Sequence, residues 1–249
     1  MIAEAAETGS TLEWGIKGHA DFVSDVDRAA EQAIRDLLLD ALPGARIVGE
    51  ELSPETHVGD APGVVFVVDP LDGTTNFLHG YPEYAVSIGA LIDGRPAAAV
   101  VVNVPTGERF TAVRGEGAWR DDAPIRVSSI VDPIRALIGT GFPFRNRELV
   151  PEYLGQFERI MRTTAGVRRS GSAALDLCDV ACGRFDAFWE LHLSPWDIAA
   201  GLLIVREAGG LVTDLRGRDA PVGAGPIVAG NPTMHAWLLG VLAQAATDA

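Results

Sequence analysis

Asp69 and Asp72 stand three residues apart in the run Asp69-Pro70-Leu71-Asp72-Gly73-Thr74-Thr75-Asn76-Phe77, directly after the apolar stretch 63–68. A buried strand over that stretch delivers Asp69 to the C-terminal edge of a sheet, where layered α/β proteins bind their ligands. Pro70 sets a bend. Across it both carboxylates can face one cation, and the Leu71 carbonyl offers a further oxygen of the hard kind that Mg²⁺ takes. Gly73, Thr74 and Thr75 follow as a helix start, whose unpaired N–H groups and positive dipole end can hold a phosphate. The spacing predicts adjoining metal and anion sites. Helix capping accounts for Asp72 or Thr74 singly. It does not account for two acids, a glycine and two threonines behind one strand.

Two further acidic clusters stand apart from this run, Glu50-Glu51 after Gly49 and Asp197 after Trp196. Taken singly, Glu50 and Glu51 read as the solvated face of a loop, and Asp197 as the N-cap of the helix after it. Three acidic strand ends or helix starts in one chain instead suggest a shared polynuclear metal site.

Several elements are needed to carry these residues. Apolar positions Ala30, Ala33, Ile34, Leu37, Leu38 and Leu42 predict an amphipathic helix over 26–42, stopped by Pro43-Gly44. A short strand over 46–48 leads to Gly49-Glu50-Glu51. The segments 84–104 and 109–119 alternate apolar runs with turn signals and predict an antiparallel meander. A strand is expected over 134–140, with helices over 149–161 and 173–182. Trp196–Ala208 reads as a helix stopped by Gly209-Gly210. Strands over 211–214 and 227–230 and a helix over 233–244 complete the chain. No repeat or linker interrupts it, so residues 1–249 are expected to form one domain of two packed halves, about 1–130 and 131–249.

Composition narrows the class. The chain has 249 residues, 47% hydrophobic and 22% charged, as in ordinary globular proteins. Its formal charge of −14 works against nucleic acid or an anionic membrane as partner. No stretch approaches the length of an apolar membrane span, and no signal peptide is apparent, so a cytoplasmic location is expected. Cys178 and Cys182 lie one helical turn apart without zinc-type spacing, which reads as two small core residues in a reducing compartment.

The motifs Gly49-Glu50-Glu51, Asp69 to Phe77 and Trp196-Asp197-Ile198-Ala199-Ala200-Gly201, in that order and spacing, resemble the signatures of the inositol monophosphatase family. These are the lithium-sensitive, Mg²⁺-dependent sugar-phosphate phosphatases. The similarity extends over nearly the whole chain. It implies an α+β, layered α/β/α/β/α sugar-phosphatase fold with two mixed or antiparallel sheets, and a homodimer. It also implies hydrolysis of inositol monophosphate or a similar small polyol or sugar phosphate, with two or three Mg²⁺ ions per active site.

Roles follow from the resemblance position by position. Glu50, Asp69 and the Leu71 carbonyl are implied as ligands of one ion, and Asp69, Asp72 and Asp197 as ligands of a second, with a weaker third ion near Glu50. Thr74, bonded to Asp27, is implied to orient the attacking water, so that Asp27, Glu50 and Thr74 form the catalytic set. The N–H groups of Gly73 and Thr74 are implied to bind phosphate. Asp72, Ser172, Ala173, Glu190 and Asp197 are implied to face the substrate, and Lys17 to lie near the attacking water. Read from its own position, Asp27 serves equally as a helix cap. Thr75 stands where the histidinol-phosphate and nucleotide-3′-phosphate branches carry a lysine, which tilts the reading toward inositol monophosphate. Those substrates and fructose 1,6-bisphosphate remain alternatives within the superfamily, and a regulatory partner of the transcription machinery is the non-enzymatic alternative. Family members begin with a full helix, whereas only residues 2–8 precede Gly9 here.

Overall fold

The computed structural model describes residues 1–8, 14–18, 21–54, 58 and 62–245. Its elements run in the order α1 (Ile2–Thr8), β1 (Trp14–Gly18), β2 (Asp21–Ser24), α2 (Asp25–Ala41), β3 (Arg46–Gly49), β4 (Val64–Asp72), α3 (Thr74–Leu78), β5 (Ala85–Ile92), β6 (Arg95–Asn103), β7 (Arg109–Val113), β8 (Gly117–Arg120) and β9 (Ala123–Pro124). Then follow β10 (Leu137–Thr140), α4 (Val150–Thr163), β11 (Gly166–Arg168), α5 (Ala173–Ala181), β12 (Ala187–Leu193), α6 (Pro195–Glu207), β13 (Leu211–Thr213), β14 (Gly225–Gly230) and α7 (Pro232–Ala245).

Strands β3 to β9 form one sheet in sequential order, parallel only between β3 and β4. The second sheet has the order β11-β10-β12-β14-β13, with β10 parallel to both its neighbours and β14 antiparallel to both of its own. Helices α5 and α6 lie between the sheets. Leu177, Val180, Leu202 and Val205 pack there with Val101 and Phe110 of the first sheet and Phe188 and Ile227 of the second. Helices α4 and α7 cover the outer face of the second sheet, where Tyr153 and Ile160 meet Trp189, Met234 and Leu238. On the outer face of the first sheet, Ile2 and Ala30 pack on Leu71, Phe77 and Tyr84. The fold is therefore the five-layered α/β/α/β/α arrangement, with two mixed sheets.

Among the structure's departures from the sequence expectation are three. Residues 133–135 form a 3₁₀ turn and the strand begins only at Leu137. The two-stranded ribbon β1–β2 has no counterpart in the apolar patterning. The third difference concerns the site. Strand β4 does not end at Asp69 but continues through Pro70 to Asp72, with Asp69 opposite Ser87 and Asp72 opposite Ala85. Three steps along β4 thus match two along β5, which is a one-residue bulge. Pro70 has no N–H for the ladder, and the slip falls between Asp69 and Asp72, on either side of it. In a regular strand, residues three apart point to opposite faces. The bulge turns Asp69 and Asp72 to the same side.

The approach of α6 to the first sheet depends on missing side chains. A Cβ on Gly89 of β5 would lie 2.8 Å from the Ala199 methyl, and one on Gly201 would lie 2.6 Å from Leu177. The small residues of Trp196 to Gly201 therefore let the helix sit close to β5 on one side and α5 on the other. That seating aims Asp197 at the end of β4.

Candidate metal centre

Asp69, Asp72 and Asp197 each present a carboxylate oxygen, and these oxygens lie within 4.8 Å of one another. Asp69 is buried, and the other two are half-buried. Each carboxylate is held by the backbone or a short side chain. Asp69 Oδ1 accepts the Leu71 N–H at 2.9 Å. Asp72 Oδ2 accepts both the Ser172 hydroxyl and the Ala174 N–H at 2.7 Å. Asp197 Oδ2 accepts the Ser194 N–H at 2.7 Å.

The electrostatics fit a cation. Burial, then the charges of Glu50, Asp72 and Asp197, push the Asp69 carboxyl well above the usual carboxylate range. Burial, then Asp72 and Glu50, does the same to Asp197. Asp72 is also raised, chiefly by burial, against the pull of its bonds from Ser172 and Ala174 and of Arg145 and Arg169. Buried acids held this close repel each other, and a divalent ion among hard oxygen donors removes that repulsion. The residues present fit Mg²⁺.

Glu50 belongs to this charge cluster through its effect on Asp69 and Asp197, although it stands outside the tight trio of oxygens. Its loop is held from beneath by Glu31 of α2, a residue that sequence patterning passes over. Glu31 is 0% exposed, and its carboxylate accepts the N–H groups of Glu51 at 2.7 Å and Leu52 at 3.2 Å. Gly49 makes the room, since a Cβ there would stand 2.1 Å from Glu31 Oε1. The sequence signal was the glycine before Glu50, which marks a close approach rather than a turn.

Thr74 opens α3 behind Gly73, whose φ of 100° favours glycine. A side chain on Gly73 would also meet the Glu83 carbonyl at 2.9 Å. The Thr74 hydroxyl lies 3.0 Å from Asp27 Oδ1 and 3.1 Å from the Leu71 carbonyl. Asp27 is buried, and its second oxygen accepts the Ser24 N–H at 2.9 Å and the Ser24 hydroxyl. Ser24 is the N-cap of α2 and Asp27 the third residue within, so the pair forms a capping box. Ser194 and Asp197 do the same at α6. Neither aspartate is the N-cap itself.

On the far side, Ser172 is the N-cap of α5, with its hydroxyl turned to Asp72, and Ala173 is buried behind it. Glu190 of β12 rests against Gly141, where a Cβ would come within 2.0 Å of its carboxylate. Burial first, then the charge of Asp197, raises Glu190 to about 8. Arg145 and Arg169, which sequence reading did not single out, pull in the opposite direction on Glu190 and Asp72. The Arg169 guanidinium lies over the Phe142 and Phe144 rings, 5.5 and 5.4 Å from their centres. The Lys17 side chain lies outside the described residues. Cys178 is buried and Cys182 half-buried, and both are free thiols. Among the described residues, no helix is long and apolar enough to cross a membrane.

The chain is similar to known proteins over most of its length. The chain is 49% identical over 241 residues to the Nus factor SuhB of Pseudomonas aeruginosa, covering 96% of this chain and 89% of that protein. It is 48% identical over 220 residues to the inositol-1-monophosphatase of Rhizobium meliloti, covering 88% of this chain and 82% of that one. The crystal structure of the extragenic suppressor protein suhB from Bartonella henselae superposes with a TM-score of 0.90 at 42% identity, over 97% of this chain and 92% of that one. The family model for inositol monophosphatases matches residues 1–247, and the chain belongs to the inositol monophosphatase family.

Proposed function

We propose that this protein is a Mg²⁺-dependent phosphomonoesterase that hydrolyses inositol monophosphate or a similar small polyol or sugar phosphate. The observation that carries the reading is the trio of carboxylate oxygens from Asp69, Asp72 and Asp197 within 4.8 Å of one another. Glu50, Asp69 and the Leu71 carbonyl would hold one ion, and Asp69, Asp72 and Asp197 a second, with a third near Glu50. Bound ions of this kind lower the pKa of water and neutralise charge on the leaving oxygen.

The chain's own groups do the rest. The Thr74 hydroxyl donates toward Asp27, which leaves its lone pairs directed to the attacking water. Asp27 then takes the proton passed along that bond. The N–H groups of Gly73 and Thr74 hold the phosphate at the start of α3. Asp72 and Asp197 also border the polyol, together with Ser172, Ala173 and the carboxyl of Glu190, which accepts or donates to ring hydroxyls according to its proton. The active form in this reading is a cytoplasmic homodimer of single-domain chains.

The test is a panel of phosphate esters assayed with Mg²⁺ on the intact chain and on Asp69→Asn. Inositol monophosphate should be turned over fastest, ahead of histidinol phosphate, fructose 1,6-bisphosphate and a nucleoside 3′-phosphate. The variant should lose roughly a thousandfold or more. Unchanged release by Asp69→Asn would overturn the metal site, and equal slow turnover of every ester would overturn the inositol assignment. The Nus-factor name of relatives near 49% identity favours a second reading, in which the chain serves the transcription machinery. That reading expects the chain to bind Nus factors whether or not Asp69 is intact.

A further inference from the structure

A second cleft opens at the opposite end of α6 from Asp197. Its volume is about 540 Å³, within the range of roughly 300–1,000 Å³ that holds small ligands. Leu91 of β5 and Leu203 of α6 form the floor, Val222 one wall, and Arg95, Arg114 and Arg206 stand around it. Asp197 and Arg206 are nine residues apart on one helix, a rise of about 14 Å. On the sheet, Ile92 pairs with Val64 at the start of β4, whereas Ser87 pairs with Asp69 near its end. The cleft and the acid centre therefore occupy opposite edges of the same sheet.

The charges in the cleft are unevenly matched. Arg206 is accounted for, because its guanidinium donates to the Asp219 carboxylate and, at 3.1 Å, to the Ala220 carbonyl. In the last turn of α6 it also offsets the negative pole of the helix. The nearby Glu207 is committed too, accepting the N–H groups of Gly115 at 2.9 Å and Gly117 at 3.1 Å. Arg95 opens β6 and Arg114 lies on the β7–β8 turn. Both are exposed, and among the described residues neither has an acidic side-chain partner. Acids outnumber Lys and Arg 34 to 20 in this chain, yet three arginines line this cleft against two carboxylates, Glu207 and Asp219, and both carboxylates already accept hydrogen bonds. A planar guanidinium fork grips an anion in two-point fashion, and Arg95 and Arg114 both line this cleft.

We propose that this cleft binds a small organic anion, with a phosphate, sulfonate or carboxylate head gripped by Arg95 and Arg114. Its apolar or planar body lies over Leu91, Leu203 and Val222. The site is independent of the phosphatase reading and needs none of the acids that serve it.

Naphthalene-1-sulfonate tests this directly, since it has the head and the body but no ester to hydrolyse. Calorimetric titration of the intact chain should show one site, with methanesulfonate at least tenfold weaker. Arg95→Ala/Arg114→Ala should weaken naphthalene-1-sulfonate tenfold or more with the circular dichroism spectrum unchanged, and Arg95→Lys/Arg114→Lys should recover part of that loss. Asp69→Asn should bind as the intact chain does. The proposal is overturned if the intact chain shows no binding at millimolar concentration, if the double alanine variant loses less than tenfold, or if Asp69→Asn abolishes binding.

Discussion

The starts of α2 and α6 are built alike and used differently. Each opens with a Ser-x-x-Asp capping box, Ser24 with Asp27 and Ser194 with Asp197. In each, one aspartate oxygen takes the N–H of the serine, at 2.9 Å in α2 and 2.7 Å in α6. The second oxygen of Asp27 meets the Thr74 hydroxyl, a neutral donor. Asp197 instead joins Asp69 and Asp72, two like charges. The consequence is visible in the energetics, because Asp197 is driven well above the usual carboxylate range by burial and its acidic neighbours. A local motif worth about 1 kcal/mol thus fixes two carboxylates rigidly, and the partner across the gap decides whether the charge stores repulsion or a hydrogen bond.

The comparison predicts a graded series of losses. Asp197→Asn should be the most severe, roughly a thousandfold in Mg²⁺-dependent phosphate release, because on the proposed function it removes an ion ligand. Its amide oxygen can still accept the Ser194 N–H, so thermal unfolding should hardly move. A large fall in melting temperature would show instead that the charge serves the fold.

Asp27→Asn should cost on the order of a hundredfold in kcat, with little change in the Mg²⁺ concentration needed. Thr74→Ala should cost about the same, and the double variant no more than either single one if the two act as one unit. Additive losses in that cycle would separate them.

Removal of the serines should touch stability more than chemistry. Ser24→Ala and Ser194→Ala should each lower unfolding free energy by about 1 kcal/mol in urea titrations. Ser24→Ala should also slow turnover more, since its hydroxyl bonds directly to the Asp27 carboxylate.

A further expected effect concerns pH. Acids raised in the folded state bind more protons there than in the unfolded chain, where they titrate near 4. Without divalent ions, stability should therefore fall as pH rises from about 4. Glu190, raised to about 8, extends that fall into the alkaline range. Glu190→Gln should flatten its upper part, and saturating Mg²⁺ should abolish most of the slope. Urea titrations across pH in chelator and in Mg²⁺ measure both, and a slope of the opposite sign would contradict the raised values.

Much of this site was legible before any coordinates. The apolar run before Asp69, the paired acids and the glycine at residue 73 pointed to a strand end joined to a helix start, and both are present. The full length of strand β4 is hidden in the sequence because a proline reads locally as a break, whereas the ladder with β5 resumes beyond it. Glu31 was invisible because its sequence neighbours mark only a polar position on an amphipathic helix. Its burial comes from Gly49 and the loop above it, which are distant in sequence. Arg145 and Arg169 were passed over for the same reason, since their charge matters only through Glu190 and Asp72 across the fold.

By itself the sequence determined the chemistry on offer: hard oxygen ligands, a helix start for an anion, and the order in which the chain presents them. Ligand types, strand runs and caps are local, and local pattern records them. Only the tertiary structure decided which of those acids meet. The bulge at Pro70 put Asp69 and Asp72 on one side, and the bare Cα of Gly89 and Gly201 let α6 come close enough to bring Asp197 beside them. Such meetings depend on register and on the absence of side chains at distant positions, quantities that no single stretch of sequence contains.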